Sequence, residues 1–292
     1  MKLGLHRTNG GISGFRPDTG VQAPAAAGQA SILSHLRVIV ARMDDVVPIE
    51  VEVCVEGLEG AALAVQAGAS RLEVCSALAL GGVTPGPGLW QAVRRAVEVP
   101  LTVLLRPRRG DFCYAAGEME ALELEVAYAR ENGAHGVALG CLAQNGVVDR
   151  ERTARLVDLA RPLEVTFHRA FDHVRDQEEA LEVLADLGVE RVLSSGAATR
   201  AVDGLERLSE LVRQAGDRLR VVPAAGIGPE NGRRILEATG ARDLHLSAGR
   251  VQISAAWQPE HVCRLGADSL PSEGERVVTD GARIRELVEG LR

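Results

Sequence analysis

The chain has 292 residues, 46% of them hydrophobic, and a formal net charge of −7. That is enough apolar material for one substantial core or two small ones, and the negative balance argues against nucleic acid as a partner. No run reaches the roughly 18 uninterrupted apolar residues of a membrane span, and five scattered cysteines read as free thiols of a cytoplasmic protein rather than a disulfide framework.

Residues 1–42 hold five basic residues and one acid, Asp18, among glycine and alanine clusters with no helical period. They are expected to be a disordered extension, the product of a start codon placed too early, or an arginine-rich transit peptide. A coherent domain, 43–292, begins at Met43. Lys2 is the only lysine in the chain, so imine-forming chemistry has no internal amine to carry it.

From Pro48 onward, short β-branched runs alternate with longer helical periods. Strands are expected at 49–54, 71–75, 101–105, 135–139, 163–168, 190–194, 219–224 and 242–247. Helices are expected at 57–67, 88–97, 118–132, 149–160, 176–187, 202–215, 229–238 and 281–291. Gly68, Gly133, Gly188 and Gly240 stand where helices hand over to strands, as left-handed caps do. Eight such alternations in 250 residues match a single (β/α)8 barrel of the TIM type. A doubly wound sheet would want a Gly-x-Gly-x-x-Gly turn after its first strand, and Cys54-Val55-Glu56-Gly57 is not one. Residues 250–276 are polar and irregular, and are expected to form a long loop after strand eight, over the face where barrels keep their sites.

Two successive strands end in the same pattern, Glu52-Val53-Cys54 and Glu73-Val74-Cys75. Side chains alternate along a strand, so each glutamate shares a face with its cysteine. Parallel neighbours would bring two carboxylates and two thiols to one end of the sheet. A buried cysteine is commonly an inert small hydrophobe, the reading that suits Cys141 and Cys263. A carboxylate inside a barrel needs a partner, and Arg106 is the expected one for Glu52 and Glu73. Other strand ends carry His168 with Arg169 and Asp172, Ser194-Ser195-Gly196, Gly226 with Gly228, and His245 with Ser247 and Gly249.

In this order the segments resemble the CutC family of copper homeostasis proteins. The resemblance rests on Glu52-Val53-Cys54, Arg71-Leu72-Glu73-Val74-Cys75, Gly81-Gly82-Val83-Thr84-Pro85, Arg106-Pro107-Arg108 with Gly110-Asp111-Phe112-Cys113-Tyr114, Thr166-Phe167-His168-Arg169-Ala170-Phe171-Asp172, and Leu193 with Ser195-Gly196. It covers about Val51 to Gly249 and implies a TIM barrel, a cytoplasmic setting, a homo-oligomer (dimer or tetramer) and a role in copper handling. Arg109 and Ser194 depart from the family's usual Gly and Thr, and Ala224 occupies a glycine position.

Two readings follow. In the first, Cys54 and Cys75 bind copper as Cu(I), with His168, His245 or Cys113 as a third ligand and nearby arginines lowering the thiol pKa values. In the second, the barrel is an isomerase- or lyase-type enzyme for a small anionic or phosphorylated metabolite. His168 with Glu73 or Asp111 would then be the acid–base pair, and Arg106, Arg108 and Arg169 an anion clamp. Ser195, Gly226, Gly228, Ser247 and Gly249 would seat a phosphate.

Overall fold

A computed structural model describes residues 49–258, 263 and 272–292; the expected extension 1–42 and the boundary at Met43 lie outside them. Eight parallel strands form the barrel: β1 (Glu50–Val55), β2 (Arg71–Val74), β3 (Leu101–Leu104), β4 (Gly136–Leu139), β5 (Glu164–Phe167), β6 (Arg191–Ser194), β7 (Arg220–Pro223) and β8 (Asp243–Leu246). Their order is β7-β6-β5-β4-β3-β2-β1-β8, and a parallel bridge between Ala224 and His245 joins the two ends into a nearly closed barrel. The helices are α1 (Leu58–Gln66), α2 (Pro87–Ala96), α3 (Ala116–Glu131), α4 (Arg150–Ala160), α5 (Gln177–Asp186), α6 (Leu205–Ala215), α7 (Gly232–Thr239) and α8 (Gly281–Leu291).

Local chemistry sets the element ends. Asp149, Asp176 and Asp280 cap α4, α5 and α8 by accepting from the first helical N–H groups. Gly68, Gly133, Gly188 and Gly240 all have positive φ at the helix-to-strand handovers, as the sequence predicts. Residues 250–276 depart from the expected irregular loop. Their ends form an antiparallel ribbon, β9 (Gly249–Ile253) with β10 (Glu275–Thr279), while 259–262 and 264–271 lie outside the described residues.

Alternation along each strand separates two interiors. Leu72 and Val74 of β2 point outward into the apolar layer under the helices. Arg71 and Glu73 point inward, and the inward positions of the other strands are also rich in charge. Arg191, fully buried, donates to Glu50 (3.1 Å) and Asp243 (3.2 Å). Arg71 pairs with Glu52 (2.9 Å) and with Glu164, and Arg220 reaches Glu50 (3.3 Å). An ion-pair network therefore plugs the amino-terminal half of the barrel. The carboxyl-terminal half stays open.

That open end also holds the backbone strain. The four described non-glycine residues with positive φ, Ala77, Ala197, Ala225 and Ala248, all follow the carboxyl ends of strands, namely β2, β6, β7 and β8. Such conformations cost a residue with a Cβ about 1 kcal/mol or more and cluster at functional sites.

Candidate metal and ligand site at the barrel mouth

In the β1–β2 register Cys54 stands opposite Glu73 and Glu52 opposite Arg71. The Cys54 thiol donates to Glu73 Oε1 (3.3 Å), and its sulfur lies 3.3 Å from the Cys75 sulfur. Both cysteines are free and buried. On the other side of β1, His245 is paired with Glu52, whose Oε1 lies 2.8 Å from His245 Nδ1. That contact leaves Nε2 as the available ring nitrogen. Cys54 Sγ, one Glu73 oxygen and one His245 nitrogen lie within 4.8 Å of one another. Glu73 Oε2 is buried with no hydrogen-bond partner. The donor set thus fits a metal ion: a sulfur, a nitrogen and an oxygen from adjacent strands, one of them with unmet acceptor capacity.

The expected pairing of Arg106 with the glutamates is not what forms. Glu52 is held by Arg71 and His245, because register places both directly beside it. Arg106 instead donates to the carbonyls of Leu80 (3.3 Å), Gly82 (3.0 Å) and Gly110 (3.2 Å). The Gly81-Gly82-Val83-Thr84 stretch is therefore an arginine cradle. A Cβ on Gly82, which has φ +82°, would come within 2.7 Å of Leu104.

Burial opposes charge on Glu52, yet the His245 hydrogen bond and the Arg191 and Arg71 charges hold its carboxyl well below the usual range. Burial pushes Glu73 up, against the attraction of His245. His245 is lowered by burial but raised overall by the Glu73 charge and the Glu52 hydrogen bond. Contrary to the sequence expectation that nearby arginines lower it, the Cys54 thiol is raised. Its hydrogen bond with Cys75, its burial and the Glu73 charge all raise it.

These groups line a cavity of about 390 Å³. Cys54, Glu73, His245, Arg106, His168, Arg169, Gly226 and Ser247 contribute to its wall, with Leu78, Leu104, Phe112 and Ile227 as the apolar part. The remaining sequence candidates fall elsewhere. Arg108 is tied to Glu118 (2.6 Å) and Asp111 (3.0 Å) and lies over the Tyr114 ring. Asp111 is exposed and accepts from Cys113 N. Together they knit the loop before α3, so neither Asp111 as acid–base partner nor Arg108 as clamp reaches the mouth. Cys113 lines a separate outer groove over α3 and α4 and is not part of the wall that Cys54 lines.

Part of the phosphate seat is likewise occupied by structure, while Gly226 and Ser247 remain in the cavity wall. The Asp172 carboxylate, its side chain almost wholly covered, accepts from Ser194 Oγ, Ser195 N, Ser195 Oγ, Ala197 N and Arg169 Nε. This binds the loop after β6 to the 3-10 turn Arg169–His173 and consumes Ser195. The Gly228 N–H is taken by Asn231 Oδ1 (3.0 Å), and Gly249 opens the ribbon strand β9 beside a second cavity.

His168 is buried, and its Nδ1 accepts from Ala170 N (3.2 Å). The ring proton is therefore on Nε2, which has no acceptor. Gly140 makes room for the ring, since a Cβ there would lie 2.6 Å from it. Burial and the Arg106 charge lower the pKa to about 3, so at neutral pH His168 is a neutral donor. It is neither a base nor, with a proton on Nε2, a ready metal ligand. The unfolded chain takes a proton near the ordinary 6.5 that the folded one refuses, so this residue's contribution to stability falls as pH drops below that value. Nitrogen-resolved NMR is expected to show the Nε2–H tautomer unchanged between pH 5 and 8. A midpoint near 6.5 would contradict this.

Residues 49–250 match the CutC family. The chain is 43% identical over 236 residues to a copper homeostasis protein cutC homolog of Mus musculus, covering 81% of this chain and 87% of that one. It is 44% identical over 198 residues to a CutC family protein of Caulobacter vibrioides, covering 68% and 80%. The crystal structure of a CutC protein from Streptococcus agalactiae superposes with a TM-score of 0.66 at 29% identity, covering 68% of this chain and 98% of that one. Among the described residues no helix is long and apolar enough to cross a membrane. A family match over residues 49–250, with relatives more than 40% identical over most of their length, means that the chain belongs to the CutC family.

Proposed function

We propose that this protein binds copper as Cu(I) on Cys54 and Cys75, sequestering it at the mouth of the barrel. The observation that carries this reading is the pair of free sulfurs 3.3 Å apart. At a metal–thiolate distance of about 2.3 Å, two sulfurs on one ion lie at most about 4.6 Å apart, so both reach a single ion without strand movement. Thiolates are the donors that Cu(I) prefers, and His245, oriented by Glu52, has a ring nitrogen within 4.8 Å of the Cys54 sulfur and is the candidate third ligand. Burial of the thiols favours retention over rapid exchange between proteins. The cytoplasm, where thiols stay reduced, is the compartment that suits them. Self-association is supported by the exposed apolar pair Val251 and Val277 on the ribbon. The test is an anaerobic Cu(I) titration against a competing chelator. One tightly held equivalent per chain is expected, and the absence of competitive binding would defeat the proposal.

A further inference from the structure

Two opposite demands are left unmet in the same cavity. On β8, β1 and β2, the group Cys54, Glu73 and His245 calls for a cation, with Glu73 Oε2 buried and unpaired. At the ends of β3 and β5, Arg106 and His168 call for an anion. Arg106 is almost wholly buried, yet among the described residues it makes no ion pair, only bonds to carbonyl oxygens. Its Nε and the Nε2–H of His168 both lack acceptors. The Phe112 ring packs against both groups, 5.1 Å from the guanidinium carbon and 5.2 Å from the imidazole ring, so their orientation is fixed before any ligand arrives. A buried guanidinium without a counter-charge is costly, and it repays that cost when an anion enters.

We propose that the cavity binds a small carboxylate-bearing molecule together with the ion. One oxygen of the molecule takes the coordination position that the ion on Cys54, Glu73 and His245 turns to the cavity, and its carboxylate meets Arg106 and His168. The inference rests on the reading of this site as a metal site, but concerns a divalent ion on Cys54, Glu73 and His245 rather than Cu(I) on Cys54 and Cys75. Three protein donors lining an open cavity leave a position for a ligand, as in sites where a metal acts on a bound molecule rather than holding the fold together. Glu52 orients His245 as outer carboxylates orient ligating histidines. A carboxylate is favoured over a phosphate because two of the loop groups that would cradle phosphate are taken, Ser195 by Asp172 and the Gly228 N–H by Asn231, which leaves only Gly226 and Ser247 of that set in the cavity wall. The volume of about 390 Å³ is at the small end for ligand pockets. Leu78, Leu104 and Ile227 in its wall suit a short apolar body.

Pyruvate, a carboxylate with an adjacent carbonyl oxygen, is a suitable probe, and Co²⁺ a suitable ion because its visible bands report its ligands. Loaded anaerobically with Co²⁺, the full chain is expected to show thiolate-to-metal absorption that pyruvate shifts saturably. Arg106→Met and His168→Phe should each weaken pyruvate binding at least tenfold while Co²⁺ affinity stays within twofold, and His168→Gln, which keeps an N–H donor, should recover part of the loss. The Co²⁺ bands of each variant verify that its site has folded. Bands indifferent to pyruvate, a shift equal in wild type and variants, or a shift produced by inorganic phosphate instead would overturn the proposal. Failure of Co²⁺ to bind where Cu(I) binds would overturn it and leave the copper reading standing. Failure of both ions would remove that reading as well.

Discussion

Replacing Cys54 and Cys75 together by serine is expected to lower Cu(I) affinity at least a thousandfold, about 4 kcal/mol. Serine keeps the size and the hydrogen bond to Glu73 but offers Cu(I) a hard, neutral oxygen in place of a soft thiolate. The fold should tolerate the change, because serine is no larger than cysteine and the two hydroxyls can bond each other and Glu73 where the Cys54 sulfur now contacts Glu73 and the Cys75 sulfur. The chelator titration also carries a pH signature. The Cys54 thiol is raised by Cys75, by burial and by Glu73, so the free protein holds it protonated at neutral pH and the ion must displace that proton. Affinity should therefore climb as pH is raised from 6 to 8. A double variant that keeps wild-type affinity would remove the cysteines from the site.

Arg191→Ala is expected to cost about 3–5 kcal/mol of folding stability, the range for removing one partner of a buried ion pair. Arg191 is wholly buried and serves Glu50 and Asp243 through one nitrogen, with Glu164 3.7 Å from another. Without it, buried Asp243 keeps only Arg220, at 3.6 Å and half-exposed. Burial already pushes the Asp243 carboxyl up against the attraction of Arg191, so losing that attraction leaves it to protonate or stay uncompensated. Urea denaturation at neutral pH measures the effect, and a loss under about 1 kcal/mol would show that the plug is not held by charge.

The barrel was legible because its signals are local. β-branched runs, helical periods and four capping glycines each act within one element, and the Glu-x-Cys repeats needed only strand alternation to place sulfur beside carboxylate. The plug was not legible, although six strands begin with a charged residue: Glu50, Arg71, Glu164, Arg191, Arg220 and Asp243. Which charge meets which depends on the stagger of strands around a closed barrel. That is also why Arg106 is expected as partner of both glutamates, when Arg71, directly opposite Glu52 in the register, holds Glu52, and Glu73 Oε2 is left unpaired. Arg108 and Asp111 looked like mouth residues because they follow β3, but the loop folds back so that they bind each other. The ribbon after β8 had a period-two signal in Arg250-Val251-Gln252-Ile253, hidden because its partner strand lies more than 20 residues further on.

Copper K-edge X-ray absorption of the Cu(I)-loaded protein tests the two-cysteine site most directly, since it counts the sulfurs on the ion. Two sulfur neighbours at about 2.3 Å, the usual metal–thiolate distance, are expected, with a nitrogen from His245 as a third. A shell of nitrogen and oxygen alone, or with a single sulfur, would contradict it.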